Sequence, residues 1–170
     1  MIGDKIDRMT GAAVHISSRH SCLHDGHHFV MARSRALPVG NDDEILIVTP
    51  NTDVWAHMSF SVVSDAAVTL SIYETTTLTA GTALTAYNRN RNSNLETALV
   101  LTHTPTGSGD GTLIFTWSAG ANIPVGAGAQ GDDINVLILK QNTSYLVRVA
   151  GASGDVITLV LDWYEHASVT

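Results

Sequence analysis

Hydrophobic and polar residues alternate with a period of two along most of this chain, most cleanly in VWAHMSFSVVS at residues 54–64. Val54, Ala56, Met58, Phe60 and Val62 fall on one side and Trp55, His57, Ser59 and Ser61 on the other, the pattern of a strand with one buried face. AAVTLSIYE sets Val68, Leu70 and Ile72 against Thr69, Ser71 and Tyr73, and β-branched threonine on the polar side favours strand over helix. HHFVMARSRAL places Phe29, Met31, Arg33 and Arg35 opposite His28, Val30, Ala32 and Ser34, which predicts a strand suited to a sheet edge. EILIVTP, TALVLTHT and GTLIFTWSA predict three more strands, the last two joined as a hairpin across PTGSGDG.

The stretch from Ile134 to His166 reads as three consecutive strands. INVLILK is an almost unbroken apolar run, which predicts a strand buried on both faces. SYLVRVAG sets Tyr145, Val147 and Val149 against Leu146 and Arg148, and the small residues Gly151, Ala152, Ser153 and Gly154 predict a hairpin into DVITLVLDWYEH. There Ile157, Leu159, Leu161 and Trp163 share a core face. Thr158, Val160, Asp162 and Tyr164 face the other way, so Tyr164 and His166 are expected on an exposed surface. Counting the runs gives about nine or ten strands separated by Gly, Asn, Asp and Pro turns, with no helix of two or more turns required. The expected architecture is an all-β antiparallel β-sandwich of jelly-roll type over residues 27–170, preceded by an extended N-terminal arm over residues 1–26, where no period is sustained.

Composition adds constraints of its own. At 170 residues with 44% hydrophobic and 15% charged, the chain can bury a core and is not a disordered solvating segment. No apolar window spans a membrane, and acidic residues stand where a signal peptide needs an apolar core, so synthesis in a cytosol is expected. The single cysteine, Cys22, excludes an intrachain disulfide. Residues 1–35 carry a net +2 and five of the eight histidines, so the remainder of the chain carries −9 of the total −7. An acidic body repels phosphate and excludes nucleic acid as a natural partner, whereas the basic segment suits an acidic protein surface. Ile2, Lys5, Ile6, Arg8 and Arg19 are therefore the expected partner contacts of the arm.

Candidate chemistry is sparse. Gly126, Gly128 and Gly131 match a GxGxxG spacing, but a strand follows where a dinucleotide site needs a helix, and no nucleophile elbow, HExxH or phosphate-binding loop is present. The carboxylates fall mostly in turns. No cofactor is expected. HSCLHDGHH offers His20, Cys22, His24 and His27 as candidate zinc ligands, against the plainer reading of a polar segment that touches a partner. The tract YNRNRNS reads as a long polar turn presenting Arg89 and Arg91.

ILKQNTSYLVRV, the closing LDWYEH and YNRNRNS together resemble small virion proteins of tailed bacteriophages, of the capsid decoration or head-fibre type. The resemblance covers the C-terminal half of the chain and carries no catalytic residue. It implies a non-enzymatic β-sandwich on the outer surface of an assembled capsid, with the major capsid protein as partner and a homo-oligomer as the expected state. Arg89, Arg91, Tyr164 and His166 would then be oligomer or surface contacts. The alternative is a carbohydrate-binding fibre module, in which Trp55, Trp117, Tyr87 and Tyr164 would stack on host-surface sugars.

Overall fold

Strands form where the period of two predicts them. The computed structural model describes residues 5–6, 13–14, 17–39, 42–119, 125–127 and 136–167. In chain order the elements are β1 (Lys5–Ile6), β2 (Ala13–Val14), α1 (Ser18–Asp25), β3 (His28–Ala36), β4 (Asp43–Val48), β5 (Val54–Ser64), β6 (Val68–Glu74), β7 (Thr82–Ala83), β8 (Tyr87–Asn88), β9 (Val100–His103), β10 (Thr112–Ala119), β11 (Val125–Ala127), β12 (Val136–Leu139), β13 (Ser144–Ala150) and β14 (Val156–Ala167). Among the described residues β1 and β2 pair only with each other.

Two antiparallel sheets pack face to face. One runs β8–β3–β14–β5, with β11 and β12 both on the far side of β5; the other runs β10–β6–β13–β4–β9–β7. From β3 to β6 and again from β12 to β14, each strand lies in the sheet opposite its predecessor. The inner faces are the apolar phases of the sequence. Phe29, Met31, Met58, Phe60, Val62, Ile157, Leu159, Leu161 and Trp163 meet Ile45, Ile47, Val68, Leu70, Ile72, Tyr145, Val147 and Val149, and every one of these is buried. Each such side chain contributes on the order of 1.5–3 kcal/mol toward offsetting the conformational entropy lost when the chain orders.

Several expectations are corrected. Gly151–Gly154 does not close a hairpin: β13 pairs with β4 and β6 and β14 with β3 and β5, so the link crosses between sheets. PTGSGDG is not a hairpin either, because β9 pairs with β4 and β7 while β10 pairs with β6. That loop instead bonds the threonine-rich segment after β6, through Thr77 N to Gly109 O at 3.0 Å and a Thr79–Thr106 bridge. Neighbouring apolar runs with flexible links look alike whether they pair or cross. INVLILK is not doubly buried: among the described residues β12 pairs only with β5, and Ile138 is 53% exposed.

The arm is the largest departure, since Ser18–Asp25 is helical rather than extended. The helix has no apolar stripe to announce it. It is fixed by its ends: the Ser17 side chain accepts from His20 N at 3.3 Å, and Gly26, at φ +80°, lets its own N–H and that of His27 reach Leu23 O and Cys22 O. A side chain at Gly26 would also collide with Ser93.

Candidate functional site

The outer face of the β3–β14–β5 sheet gathers the chain's polar chemistry. Across the register His28 lies beside Tyr164 and Tyr164 beside His57, and two residues along β14 the row is Val30, Asp162 and Ser59. A carboxylate on such a row, only 8% exposed, is tolerated only if cations reach it. His28 Nε2 is 2.8 Å from Asp162 Oδ1, Arg19 of α1 donates to the same oxygen at 2.6 Å, and Arg89 of the asparagine-rich turn pairs with Oδ2. Burial pushes the Asp162 pKa up. The His28 hydrogen bond and the charges of His28, Arg89 and Arg19 together outweigh it and hold the carboxyl below its ordinary value.

The turn itself is built by asparagine. Asn88 Nδ2 donates to Gly26 O at 2.6 Å and Leu95 O at 3.0 Å, its Oδ1 accepts from Asn90 N, and Asn90 Nδ2 donates to His24 O at 2.9 Å. Helix and turn are thus tied to each other as well as to Asp162.

Beside this clamp runs a chain of ring contacts. Tyr164 Oη is 3.1 Å from His57 Nδ1, His57 Nε2 is 2.8 Å from His166 Nε2, and His166 Nδ1 is 2.7 Å from Ala167 O. A carbonyl only accepts, so Nδ1 of His166 carries the hydrogen. With both rings neutral the chain then runs one way, from the tyrosine hydroxyl through His57 to His166. A shallow surface depression between clamp and rings is lined by Arg19, His57, Ser59, Val136, Asp162 and Tyr164.

The imidazole–carboxylate pair resembles half of a general-base device, but its geometry serves anchoring. Nε2 of His28 is spent on Asp162, and among the described residues the buried Nδ1 has no hydrogen-bond partner, so none of them sets a hydroxyl or thiol where this base would activate it.

Other charged groups are paired in the same inward manner. Arg148 crosses the outer face of the second sheet, donating to Glu44 at 2.8 Å and twice to Asp110 at 2.7 Å, with its guanidinium 5.2 Å from the Tyr73 ring. The Asp110 hydrogen bonds lead the rise in the Arg148 pKa, and the same contacts lower that of Asp110. Asp43, fully buried, faces Arg33 at 3.4 Å and Arg35 at 3.2 Å. Glu165 is buried at the rim, accepting from Trp163 Nε1 at 2.9 Å, from Ala98 N and from the Thr97 hydroxyl.

The sequence-predicted residues are distributed unevenly over this surface. Arg19, expected on a partner, and Arg89 both bind the protein's own Asp162. Arg91 stacks 5.6 Å over Tyr87. Tyr164, expected to be exposed, is 8% exposed, because the His57 and His28 rings pack against it; His166 is half-buried. Ile2 and Arg8 lie outside the described residues, and Lys5 and Ile6 lie in β1. His20 and His24 come together, one turn apart on α1, with Nε2 atoms 3.0 Å from each other. Cys22 and His27 do not join them: no group of three or more ligating side chains forms among the described residues, since a helix turns residue i+2 to its far side.

Asp162, His28 and Glu165 were not among the predicted residues. Their signal was available: a carboxylate inside an otherwise apolar strand requires partners, and only cations or N–H donors can serve. No protein-family model, no curated protein and no solved structure matches the chain.

Proposed function

We propose that this protein is a non-enzymatic virion component, a jelly-roll-type sandwich that binds the outside of an assembled phage capsid as a decoration or cement protein. Its partners in this reading are the major capsid protein and further copies of itself. The strand order β3–β14–β5–β12 over β4–β13–β6–β10 supports the jelly-roll assignment.

The observation that carries an assembly role is strand β10. It ends its sheet with no strand on its outer side among the described residues. A register shift between Leu113 and Phe115 leaves Leu113 49% and Ile114 42% exposed. Edges of monomeric sheets are normally blunted by charge or proline, whereas an eight-residue edge with apolar side chains suits pairing with another chain. The charged groups, by contrast, are largely turned on one another, which leaves few to act on a substrate.

The fibre-module reading asks for exposed, adjacent aromatics. Tyr87 is exposed on β8, Trp55 half-buried on β5, Trp117 half-buried in the other sheet and Tyr164 buried, a scatter that favours the capsid reading. Co-sedimentation with assembled capsids tests it. The protein should pellet with capsids and not alone, and Ile114→Asp should keep its melting temperature while capsid occupancy falls at least ten-fold. Failure of the wild type to pellet with capsids would overturn the capsid assignment, and full occupancy by Ile114→Asp would overturn the role of the edge.

A further inference from the structure

Two histidine pairs in ring-nitrogen contact occur among the described residues, and they differ in what their remaining nitrogens do. In the His57–His166 pair all four ring nitrogens are engaged by protein atoms. In the His20–His24 pair both rings are exposed, and among the described residues no protein atom beyond the Nε2–Nε2 contact holds either ring by a hydrogen bond. Two imidazoles that meet nitrogen to nitrogen on an open helix face share one hydrogen between them; with that hydrogen moved to Nδ1, toward water, both Nε2 lone pairs are free for a shared ion.

The distances agree with this chemistry. Two nitrogens each about 2.05 Å from one ion and at right angles stand about 2.9 Å apart, and at the tetrahedral angle about 3.3 Å apart. The observed 3.0 Å lies between them, with ring centroids 4.7 Å apart and planes at 65°. The spacing is built into the backbone, since residues four apart in a helix share a face. It is also held in place. Gly26 caps the helix end, Asn90 binds the His24 carbonyl at 2.9 Å, and Arg19 anchors the first turn to Asp162. An eight-residue helix is marginal on its own, so these ties keep the donors positioned.

We propose that His20 and His24 form a two-imidazole site for a borderline divalent transition-metal ion, zinc, nickel or copper, on the open face of α1. Water completes the coordination sphere, which leaves positions that a carboxylate or imidazole of a neighbouring molecule can take. Hard, oxygen-seeking magnesium and calcium are not bound. Cys22 is not a ligand: two residues from each histidine along the helix, it projects from the opposite side of α1.

Isothermal titration of the folded full chain with ZnCl2, NiCl2 and MgCl2, with imidazole 15N spectra as a second readout, tests the assignment. One zinc or nickel site and no magnesium site are expected, with shifts of two imidazole Nε2 resonances. His20→Ala and His24→Ala should each weaken binding at least ten-fold. Cys22→Ser, His27→Ala and His166→Ala should bind as the wild type does. Undiminished binding in the His20→Ala, His24→Ala double variant, or a ten-fold loss in Cys22→Ser, His27→Ala or His166→Ala, would overturn it. The two ligands are solvent-exposed, so folding of the variants, checked by circular dichroism, is expected to be unchanged.

Discussion

Asp162→Asn tests whether one carboxylate holds helix and turn to the sheet. The change keeps shape and volume but withdraws the charge that Arg19, Arg89 and His28 converge on. Removing one partner from a buried ion pair costs about 3–5 kcal/mol. The Arg19 and Arg89 side chains are 47% and 43% exposed, so water takes up much of their charge when the partner is lost. Asn can also still accept one hydrogen bond. Discounting for both gives about 2–3 kcal/mol, read by urea denaturation at pH 7. The pH dependence supplies the sharper test. The folded pKa lies below the unfolded value of about 3.9, so the contribution is complete above that value and is lost as pH falls through the folded pKa. The stability gap between wild type and variant should therefore be held at mildly acid pH and narrow as pH falls below the unfolded value of about 3.9. Amides of α1 should exchange faster in the variant at pH 7. A gap below about 0.5 kcal/mol at pH 7, or one that persists undiminished in acid, would refute the clamp.

Two further outcomes follow from the rim. Trp163, 0% exposed, should lose about 3–5 kcal/mol on Trp163→Ala in thermal melts. Trp163→Phe, which keeps an aromatic ring but drops the bond to Glu165, should lose about 1–3 kcal/mol; equal losses would show that packing is not what the indole supplies. Burial, partly offset by the bond from Lys140 N and aided by Glu74, pushes the Tyr145 hydroxyl up to about 12. Its contribution is present below about pH 10 and lost as pH rises toward 12, so the wild type should destabilise more steeply than Tyr145→Phe across that interval, followed by tyrosinate absorbance.

The sandwich was legible because its strands are mostly half-buried, and a half-buried strand writes its phase into the sequence: Met58, Phe60, Leu70, Val147 and Trp163 all face the core as their spacing requires. Pairing was not legible. The β13–β14 link and the PTGSGDG loop carry the glycines of a hairpin, but whether two apolar runs pair or cross depends on which partner offers the longer complementary face, and β5 and β3 offer β14 more than β13 does. Helix α1 escaped notice because its stability lies in Ser17, Gly26 and an ion pair to a residue 143 positions away, none of which creates a period. Tyr164 was placed on the correct face and still misjudged. A strand's outward phase says which way a side chain points, not what is laid over it.

The place of β14 between β3 and β5 sets a schedule for synthesis. β3 and β5 make no direct pairing; each waits for a strand whose Asp162 lies 134 residues beyond His28. At about 5–20 residues per second, roughly 7–27 s separate emergence of the two from the ribosome. Throughout that time Phe29 and Met31, and for most of it Met58 and Phe60, lack the strand that joins β3 to β5. Pairings this distant in sequence are slow to form even in the released chain. A nascent chain of this topology thus spends its synthesis with strand edges open to other chains, and the refolding yield should fall steeply with concentration. Sealing the last seam makes the long β14, flanked on both sides, the step that ends that exposure.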